Sequence, residues 1–287
     1  MARAMRRAIR LAAIVVLVIC SGVVQPARPA FAAASGACPF YLTASWNGSL
    51  PGGCYKNYYL LFTGAMAWNG QGGFCPWDLI APIGGTHINE CTVATNLINL
   101  GTTLHNMNPG ASFTLLAGTN DCVLNYGGHS IGEAASSLNG ILNYVFNNTP
   151  AGIGVLSEMD AEGYGANGSC FNASSSLSGN SLSFFQSYYA AGGSARWIGP
   201  GGAAPLTASN EYTLWLTGGG YLIPQIYAPG NQYNWPTQAS GYYWFLQTYP
   251  VGGGYFANDC DANSAFAAYI GQYPLFDFDW QVPGRSC

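Results

Sequence analysis

Short apolar runs alternate with helical patterns along the chain from residue 58 onward. Apolar runs bounded by Gly, Pro or Asn predict strands, whereas apolar residues at i, i+3, i+4 and i+7 predict amphipathic helices. Eight strands are predicted, near residues 58, 78, 113, 153, 195, 221, 255 and 275. Six helices are predicted, at residues 92–107, 130–146, 181–190, 209–216, 237–249 and 263–272.

This alternation determines the fold class that we predict. A strand followed by a helix returns the chain to the start of the sheet, so repeated strand–helix pairs form a parallel sheet. Eight such pairs in a chain of this length predict an α/β fold, a (β/α)8 TIM barrel, formed as a single domain with disulfides. The alternative is an open doubly wound sheet, but no Gly-rich phosphate-binding fingerprint follows any predicted strand.

The N-terminal residues have the pattern of a secretory signal peptide. Arg3, Arg6, Arg7 and Arg10 precede an apolar run over residues 11–24, and Ala30-Phe31-Ala32 matches the A-x-A cleavage pattern. The run is shorter than the roughly 20 residues that a membrane-spanning helix needs. We therefore predict a signal peptide at 1–32 and one domain at 33–287. The mature chain is expected to be secreted, extracellular and not membrane-bound.

Removal of this signal would change the charge and the cysteine count. Five of the eight basic residues lie in it, so three basic residues would remain against twelve acidic ones, a net charge of −9. Such a chain repels phosphate backbones, and nucleic acid is therefore not an expected partner. Eight cysteines would remain, which predicts four disulfides whose pairing the sequence leaves open. The histidines are scattered and no C-x-x-C pair occurs, so neither a metal nor another cofactor is predicted.

Three carboxylates follow the strand predicted near residue 153, at the alternate positions Glu158, Asp160 and Glu162. Residues two apart in a strand face the same side, and barrels of this kind carry their active sites at the carboxyl ends of the strands. Crowded carboxylates raise the pKa of one of their number, which can then act as a general acid near neutral pH. A second carboxylate can stabilise positive charge, and glycosidic bond cleavage needs both roles. The alternative is a solvated acidic loop.

The acidic segment resembles the active-site strand of family-eighteen glycoside hydrolases, the chitinase family, whose pattern on the fourth barrel strand is D-x-x-D-x-D-x-E. The matching positions here are Val155, Glu158, Asp160 and Glu162, so the last two acids match and the first two positions depart from the pattern. The third strand of that family ends in a small motif containing glycine, and Leu116-Ala117-Gly118 stands at that place.

Two further motifs occur in the order that this family has them. Gln225-Ile226-Tyr227 matches the context of a sixth-strand tyrosine, and Trp280 matches an eighth-strand tryptophan. The resemblance implies that Glu162 is the general acid and that Asp160 orients the N-acetyl group of the substrate, which acts as the nucleophile. It also implies that Tyr227 helps to hold that group and that Trp280 forms the floor beneath the sugar.

Four more residues complete the predicted site, as substrate-binding groups. Gln225 belongs to the sixth-strand motif, and Tyr164 follows the acidic segment. Asp121 follows the strand near residue 113, and Asp279 shares a face of the last strand with Asp277. Each of these aspartates can instead end its strand in solvent.

These observations predict a secreted, monomeric glycoside hydrolase whose partner is a chitin-like or peptidoglycan-like polysaccharide of a cell wall. Lysozyme-like family-twenty-five hydrolases also carry D-x-E on a middle strand, but the aspartate expected on their first strand is absent from residues 58–68. A catalytically inactive, lectin-like barrel is the other alternative. Such lectins lose the terminal acid, which this chain retains as Glu162, whereas Val155 and Glu158 keep the alternative open.

Overall fold

Twelve strands and three α-helices are described in a computed structural model of the protein. It describes residues 36–82, 84–120, 123–125, 128–160, 184, 186–188, 190–191, 196–198, 221–235, 237, 245–248, 254–274 and 276–279. In chain order the elements are β1 (Ala37–Tyr41), β2 (Tyr58–Phe62), β3 (Met66–Trp68), β4 (Trp77–Ile80), β5 (His87–Asn89), α1 (Glu90–Met107), β6 (Phe113–Asn120), β7 (Val123–Asn125), α2 (Ile131–Asn148), β8 (Ile153–Asp160), β9 (Arg196–Ile198), β10 (Tyr221–Leu222), β11 (Phe245–Thr248), α3 (Asp259–Ile270) and β12 (Phe276–Asp279).

The largest sheet has the strand order β1-β2-β6-β8-β9-β10, and all its neighbouring strands are parallel. Parallel neighbours need a long crossover, and α1 and α2 provide it between β2 and β6 and between β6 and β8. Strands adjacent in the sheet are therefore also consecutive among the parallel strands of the chain. β11 and β12 form a separate parallel pair. The predicted α/β class with a parallel sheet is confirmed.

Capping residues mark the ends of the helices: side chains accept hydrogen bonds from backbone N–H groups at the N-termini, and a glycine ends α3. α1 starts after Asn89, whose side-chain oxygen accepts a hydrogen bond from the backbone N–H of Cys91 at 3.0 Å. α2 starts with a capping box, in which Ser130 and Glu133 each accept a hydrogen bond from the other's backbone N–H. α3 ends at Gly271, whose φ of 76° is left-handed. The helices predicted at 92–107, 130–146 and 263–272 are confirmed within a few residues.

The two faces of the parallel sheet have different neighbours. Tyr59, Leu115 and Val155 are in register on β2, β6 and β8 and lie in the main core together with the apolar faces of α1 and α2. The next residue on each strand points to the opposite face. Leu60 and Leu116 lie there and are fully buried. Both faces of this sheet are therefore covered, as is usual for parallel sheets.

A second, four-stranded sheet lies beside the carboxyl ends of β2 and β6. Its order is β5-β4-β3-β7, with β3, β4 and β5 pairing antiparallel and β7 pairing parallel to β3. It is formed by the chain that leaves β2 and β6 before α1 and α2 begin. The backbone N–H of Gly64, just after β2, donates to the carbonyl of Ile80 in β4 at 2.7 Å. We call this the side sheet.

Three details of the predicted strand order are wrong. Residues 77–80 form a strand, but it belongs to the side sheet, because the six residues that connect it to β5 are too few for a parallel crossover. No strand occurs at residues 255 and 256, where the chain turns. Residues 245–248, predicted as helix, form strand β11, since a short apolar run suits a buried strand as well as a helix.

One parallel strand was not predicted. β1 pairs with β2 along its full length, from Ala37 against Tyr58 to Tyr41 against Phe62. It contains Pro39, a residue that normally argues against a central strand and is tolerated where a strand has a neighbour on one side only. Its partner β2 and the other predicted strands near 113, 153, 195, 221 and 275 are confirmed as strands.

Disulfides connect the ends of several elements. Cys38 of β1 is bonded to Cys54, and Cys75 before β4 is bonded to Cys91 in the first turn of α1. Cys260 is also disulfide-bonded. Disulfides persist in oxidising compartments, so these bonds are compatible with the predicted export. Within the described part of the chain, no helix is long and apolar enough to cross a membrane. The predicted signal peptide lies outside the described residues.

Candidate functional site

Glu158 lies near the carboxyl end of β8, the fourth strand of the parallel sheet. Val155, three residues earlier, packs against the helices, so Glu158 faces the opposite side of the sheet. Its register neighbours are Gly118 on β6 and Trp197 on β9. The predicted carboxylate is therefore placed at the edge of a parallel sheet where α/β proteins carry their sites.

The carboxyl group of Glu158 is buried without a partner. The residue is 4% exposed, and in the described part of the chain neither side-chain oxygen has a hydrogen-bond partner. Burial raises the pKa of this carboxyl well above the usual value of 4.5. A buried carboxylate without compensation is costly, so the protonated form is favoured. Glu158 is thus a group that holds a proton where an ordinary glutamate has released it.

Gly118 allows strand β6 to approach the backbone of Glu158 on β8 closely. A Cβ atom at this position would overlap the backbone carbonyl oxygen of Glu158 on the neighbouring strand. Only glycine permits β6 and β8 to approach so closely here. The predicted motif at the end of the third strand therefore lies directly beside the predicted acidic segment.

Two threonines hold the ends of β2 and β6 together beside Glu158. The hydroxyl of Thr63 donates to the carbonyl of Gly118, and the hydroxyl of Thr119 donates to the carbonyl of Gly64 at 2.6 Å. Both threonines are buried. A narrow crevice lies between these strand ends, lined by Leu61, Phe62, Thr63, Gly118, Thr119 and Glu158.

Asp160 ends β8 two residues beyond Glu158, in register with Asn120 on β6. Positions 158 and 160 are two apart on one observed strand, so strand alternation predicts that Glu158 and Asp160 share a face, with Asp160 one step nearer to the edge. The arrangement of the two acids on one face stays a prediction.

Gln225 and Tyr227 are brought together directly. The Tyr227 hydroxyl donates to the side-chain oxygen of Gln225 at 2.8 Å, and Gln225 is buried. The side-chain oxygen of Asn231 accepts hydrogen bonds from the backbone N–H groups of Tyr227 and Ala228. Strand β10 ends at Leu222, because Pro224 has no backbone N–H to donate to a neighbouring strand. The two predicted binding residues thus lie in the segment between β10 and the 3-10 turn Asn231–Asn234.

Of the remaining predicted residues, the structure describes only the backbone of Asp279. Glu162, Tyr164, Asp121 and Trp280 lie outside the described residues. Asp279 is the last residue of β12, where its backbone is in register with Thr248 of β11. Its assigned role stays a prediction.

Val155 occupies the first position of the family pattern, and the structure shows what the valine does there. It packs in the main core on the helix side of the sheet. An acid at this position would face apolar side chains of that core. Valine is therefore the residue that this local packing accepts, and the departure from the pattern does not alter the face that carries Glu158.

A second buried glutamate was not predicted as a notable residue. Glu90 is the first residue of α1 and is fully buried. One oxygen, Oε1, accepts a hydrogen bond from the backbone N–H of Trp77 at 3.2 Å and another from the hydroxyl of Ser137 at 2.8 Å. Burial raises the pKa of Glu90 to about 7, against the opposing effect of these hydrogen bonds, and the charge of Asp78 adds to the rise. An acid in the first turn of a helix is ordinary, so its sequence carries no signal of burial.

Two histidines of the side-sheet region have carboxylate neighbours. His87 Nδ1 lies 3.5 Å from an oxygen of Asp78, and His129 Nδ1 lies 3.2 Å from an oxygen of Glu133. The His129 ring also lies against Trp68, with ring centres 3.8 Å apart. Among the described residues, no group of three or more His, Cys, Asp or Glu side chains is arranged to hold a metal ion.

No protein-family model, curated protein sequence or solved structure matches the chain. The interpretation of the site therefore rests on the residues and geometry described above.

Proposed function

We propose that the protein is a secreted glycoside hydrolase that cleaves a chitin-like or peptidoglycan-like polysaccharide by carboxylate acid/base catalysis. The observation that carries this proposal is the buried, unpartnered carboxyl group of Glu158 at the carboxyl edge of a parallel sheet, on one face with Asp160. Paired carboxyl groups with separated pKa values are what glycosidic bond cleavage requires.

The scaffold that we propose for this chemistry is the (β/α)8 barrel. Six parallel strands lie side by side in chain order, whereas an open doubly wound sheet reverses its order at a switch point. β11 and β12 add a second parallel pair, and β12 approaches β1 within 8 Å between Cα atoms. The six-stranded sheet and this pair together supply eight parallel strands, the number found in a closed barrel of this type.

The roles of the acids follow from their positions. Burial raises the pKa of Glu158 and so favours its protonated form, which limits the negative charge next to Asp160. The family resemblance then assigns Asp160 to orient the substrate N-acetyl group, whose oxygen attacks the anomeric carbon. It assigns Glu162 to donate a proton to the leaving oxygen. Tyr227, with its hydroxyl on Gln225, would bind the substrate from the turn after β10.

A lectin-like barrel is the second candidate, and one observation favours it. The crevice beside Glu158 is narrow, and Glu158 itself is almost closed off from solvent. A group so enclosed does not touch a substrate in this conformation. Under this alternative the acids shape a binding surface and no bond is cleaved.

The test is the release of reducing ends from N-acetylglucosamine oligomers, peptidoglycan and β-glucan by the mature chain. We expect Glu162→Gln and Asp160→Asn each to lower the rate by about 10²–10⁴-fold, the usual contribution of an acid/base group. Glu133→Gln is the matched control, because Glu133 is an exposed helix cap. Hydrolysis that survives Glu162→Gln would contradict the assignment of the acid. Binding of these glycans without turnover would favour the lectin-like alternative.

A further inference from the structure

Exposed tyrosine rings are concentrated in the C-terminal third of the described chain. Tyr233 and Tyr273 are 66% and 70% exposed, the highest values among the large apolar and aromatic side chains that the structure describes. Tyr255 is 45% exposed. Tyr269 lies next to Tyr233, with perpendicular rings whose centres are 5.1 Å apart. We call these four residues the tyrosine surface.

Hydrogen bonds anchor the segments that carry two of these tyrosines, Tyr233 and Tyr269. Tyr233 lies in the 3-10 turn Asn231–Asn234, and the side chain of Gln232 in that turn accepts a hydrogen bond from the backbone N–H of Gly230 at 2.8 Å. The hydroxyl of Tyr269 donates to the carbonyl of Trp235 at 3.1 Å, which connects α3 to the end of the turn. Rings held in place in this way lose little conformational entropy when they bind a partner.

The segment that carries Tyr255 is attached to the same region. The backbone N–H of Phe256 donates to the carbonyl of Tyr227 at 2.9 Å. Tyr227 in turn precedes the 3-10 turn that carries Tyr233, and Asn231 of that turn binds its backbone N–H. Tyr233, Tyr269 and the segment of Tyr255 are therefore connected through one turn, and Tyr273 follows the end of α3, four residues after Tyr269.

This region lacks charge to an unusual degree. Residues 213–258 contain no Asp, Glu, Lys, Arg or His, and the only charged residues within 213–276 are Asp259 and Asp261. Asp259 is buried, and Asp261, in the first turn of α3, is exposed. With so few charges in this segment, we expect a partner to be recognised mainly by ring faces and by hydrogen bonds to hydroxyl and amide groups.

From the exposed rings and the missing charge together, we infer that the tyrosine surface binds a neutral polysaccharide chain. Tyrosine rings present flat apolar faces that cover the C–H face of a sugar, while their hydroxyls and neighbouring amides bond sugar hydroxyls. An acidic polymer or an acidic lipid surface would find no Lys, Arg or His among residues 213–276 of the sequence. The inference does not depend on catalysis, since a hydrolase and a lectin can both hold a polysaccharide at such a surface.

The experiment measures adsorption of the mature protein to insoluble chitin and to cellulose, as two neutral probes. We expect the double variant Tyr233→Ala/Tyr273→Ala to weaken adsorption to at least one of them by about tenfold, which corresponds to about 1.4 kcal/mol. The matched control is Tyr55→Ala/Tyr144→Ala. These two tyrosines are 42% and 43% exposed, and each also contacts a phenylalanine ring. The control should adsorb like the unmodified protein.

Two further measurements separate the possible outcomes. The double variant Tyr233→Phe/Tyr273→Phe retains the ring faces. Its loss of adsorption should therefore be less than half of the loss seen in Tyr233→Ala/Tyr273→Ala. Adsorption should persist in 1 M NaCl (roughly a 3 Å screening length), because no ion pairs are involved. Equal losses in the control, loss of adsorption in salt, or no adsorption to either probe would overturn the inference. A dimer abolished by the same alanine variant would assign the surface to a second copy and overturn it too.

The adsorption test can fail independently of the proposed hydrolysis. Release of reducing ends from short soluble N-acetylglucosamine oligomers reports on the acids near β8 and should be unchanged in the Tyr233→Ala/Tyr273→Ala variant. Normal adsorption with no hydrolysis would contradict only the proposed catalysis. Normal hydrolysis with unaltered adsorption of the variant would contradict only the tyrosine surface.

Discussion

Glu158 and Glu90 are both buried glutamates with a raised pKa, yet their surroundings differ. Glu90 has two hydrogen-bond donors on one oxygen, the backbone of Trp77 and the hydroxyl of Ser137. It joins the side sheet to α1 and α2 and thereby has a structural task. Among the described residues, Glu158 has no hydrogen-bond partner for either oxygen. None of these residues compensates for the cost of its burial.

The comparison separates a buried carboxyl with a structural task from one for which the described residues show no such task. A protein tolerates an uncompensated buried group where stability has been given up for another purpose, and such groups gather at functional sites. A buried group whose donors connect separate elements needs no such explanation. The pKa alone does not distinguish the two glutamates, because burial raises it in both. Their hydrogen bonds distinguish them.

The largest effect is expected from Gly118→Ala. The new Cβ would overlap the carbonyl of Glu158, so β6 and β8 would have to separate, and we expect unfolding free energy to fall by about 4–5 kcal/mol. Urea unfolding followed by circular dichroism measures it. The control is Gly140→Ala on α2, where no atom lies within 4 Å, and a gain of about 0.5–1 kcal/mol is expected. Equal effects at both glycines would show that Glu158 is not enclosed by this close strand contact.

Replacing each glutamate by leucine should change stability in opposite directions. Glu90→Leu leaves the buried N–H of Trp77 and the hydroxyl of Ser137 without an acceptor, at a cost of about 2–4 kcal/mol. Glu158→Leu removes an uncompensated polar group and orphans no donor, so a gain of about 1–2 kcal/mol is expected. Urea unfolding at pH 6 compares the two variants. Destabilisation of similar size in both would remove the distinction between them.

The comparison of these two residues also shows how far sequence patterns reach. Period-two alternation predicts that Glu158 and Asp160 share a face, and both residues lie on the observed strand β8. The alternation does not show how deeply a side chain is buried. Glu158 is buried beside Gly118, which is distant in the sequence but adjacent in the sheet. For Glu90 the pattern is misleading, because an acid after Asn89 is typical of an exposed first turn. Its burial results from contacts with Trp77 and Ser137, which only the tertiary structure brings near.

The same limit explains which elements were predicted. α1 and α2 have apolar residues at helical spacing and recognisable caps, and both were predicted within a few residues. β6 and β8 are apolar runs bounded by turn residues, and they were predicted too. β1 contains Pro39, and β11 is a short apolar run that fits two structures equally well. Whether such a segment forms a strand depends on pairing with a neighbouring strand, and a single sequence does not identify that neighbour.

The pH dependence of stability tests the surroundings of Glu90 most directly. Its folded pKa of about 7 lies above the ordinary value of 4.5, so the folded chain binds this proton more tightly than the unfolded chain. The stabilisation is complete below pH 4.5, falls as the pH rises, and is lost above about pH 7, a change of about 3 kcal/mol. Glu90→Gln does not titrate and retains an acceptor for Trp77 and Ser137. Its unfolding free energy should therefore fall less over this range than that of the unmodified protein.

Glu133→Gln provides the control of opposite sign. Hydrogen bonds from the backbone of Ser130 and from His129 lower the pKa of Glu133, so its contribution is present above the unfolded pKa and is lost as the pH falls. Urea unfolding of both variants and the unmodified protein between pH 4 and pH 8 measures the two slopes. A Glu90→Gln curve parallel to that of the unmodified protein would mean that Glu90 titrates normally. The contrast with Glu158 would then depend on hydrogen bonds alone, without a shared rise in pKa.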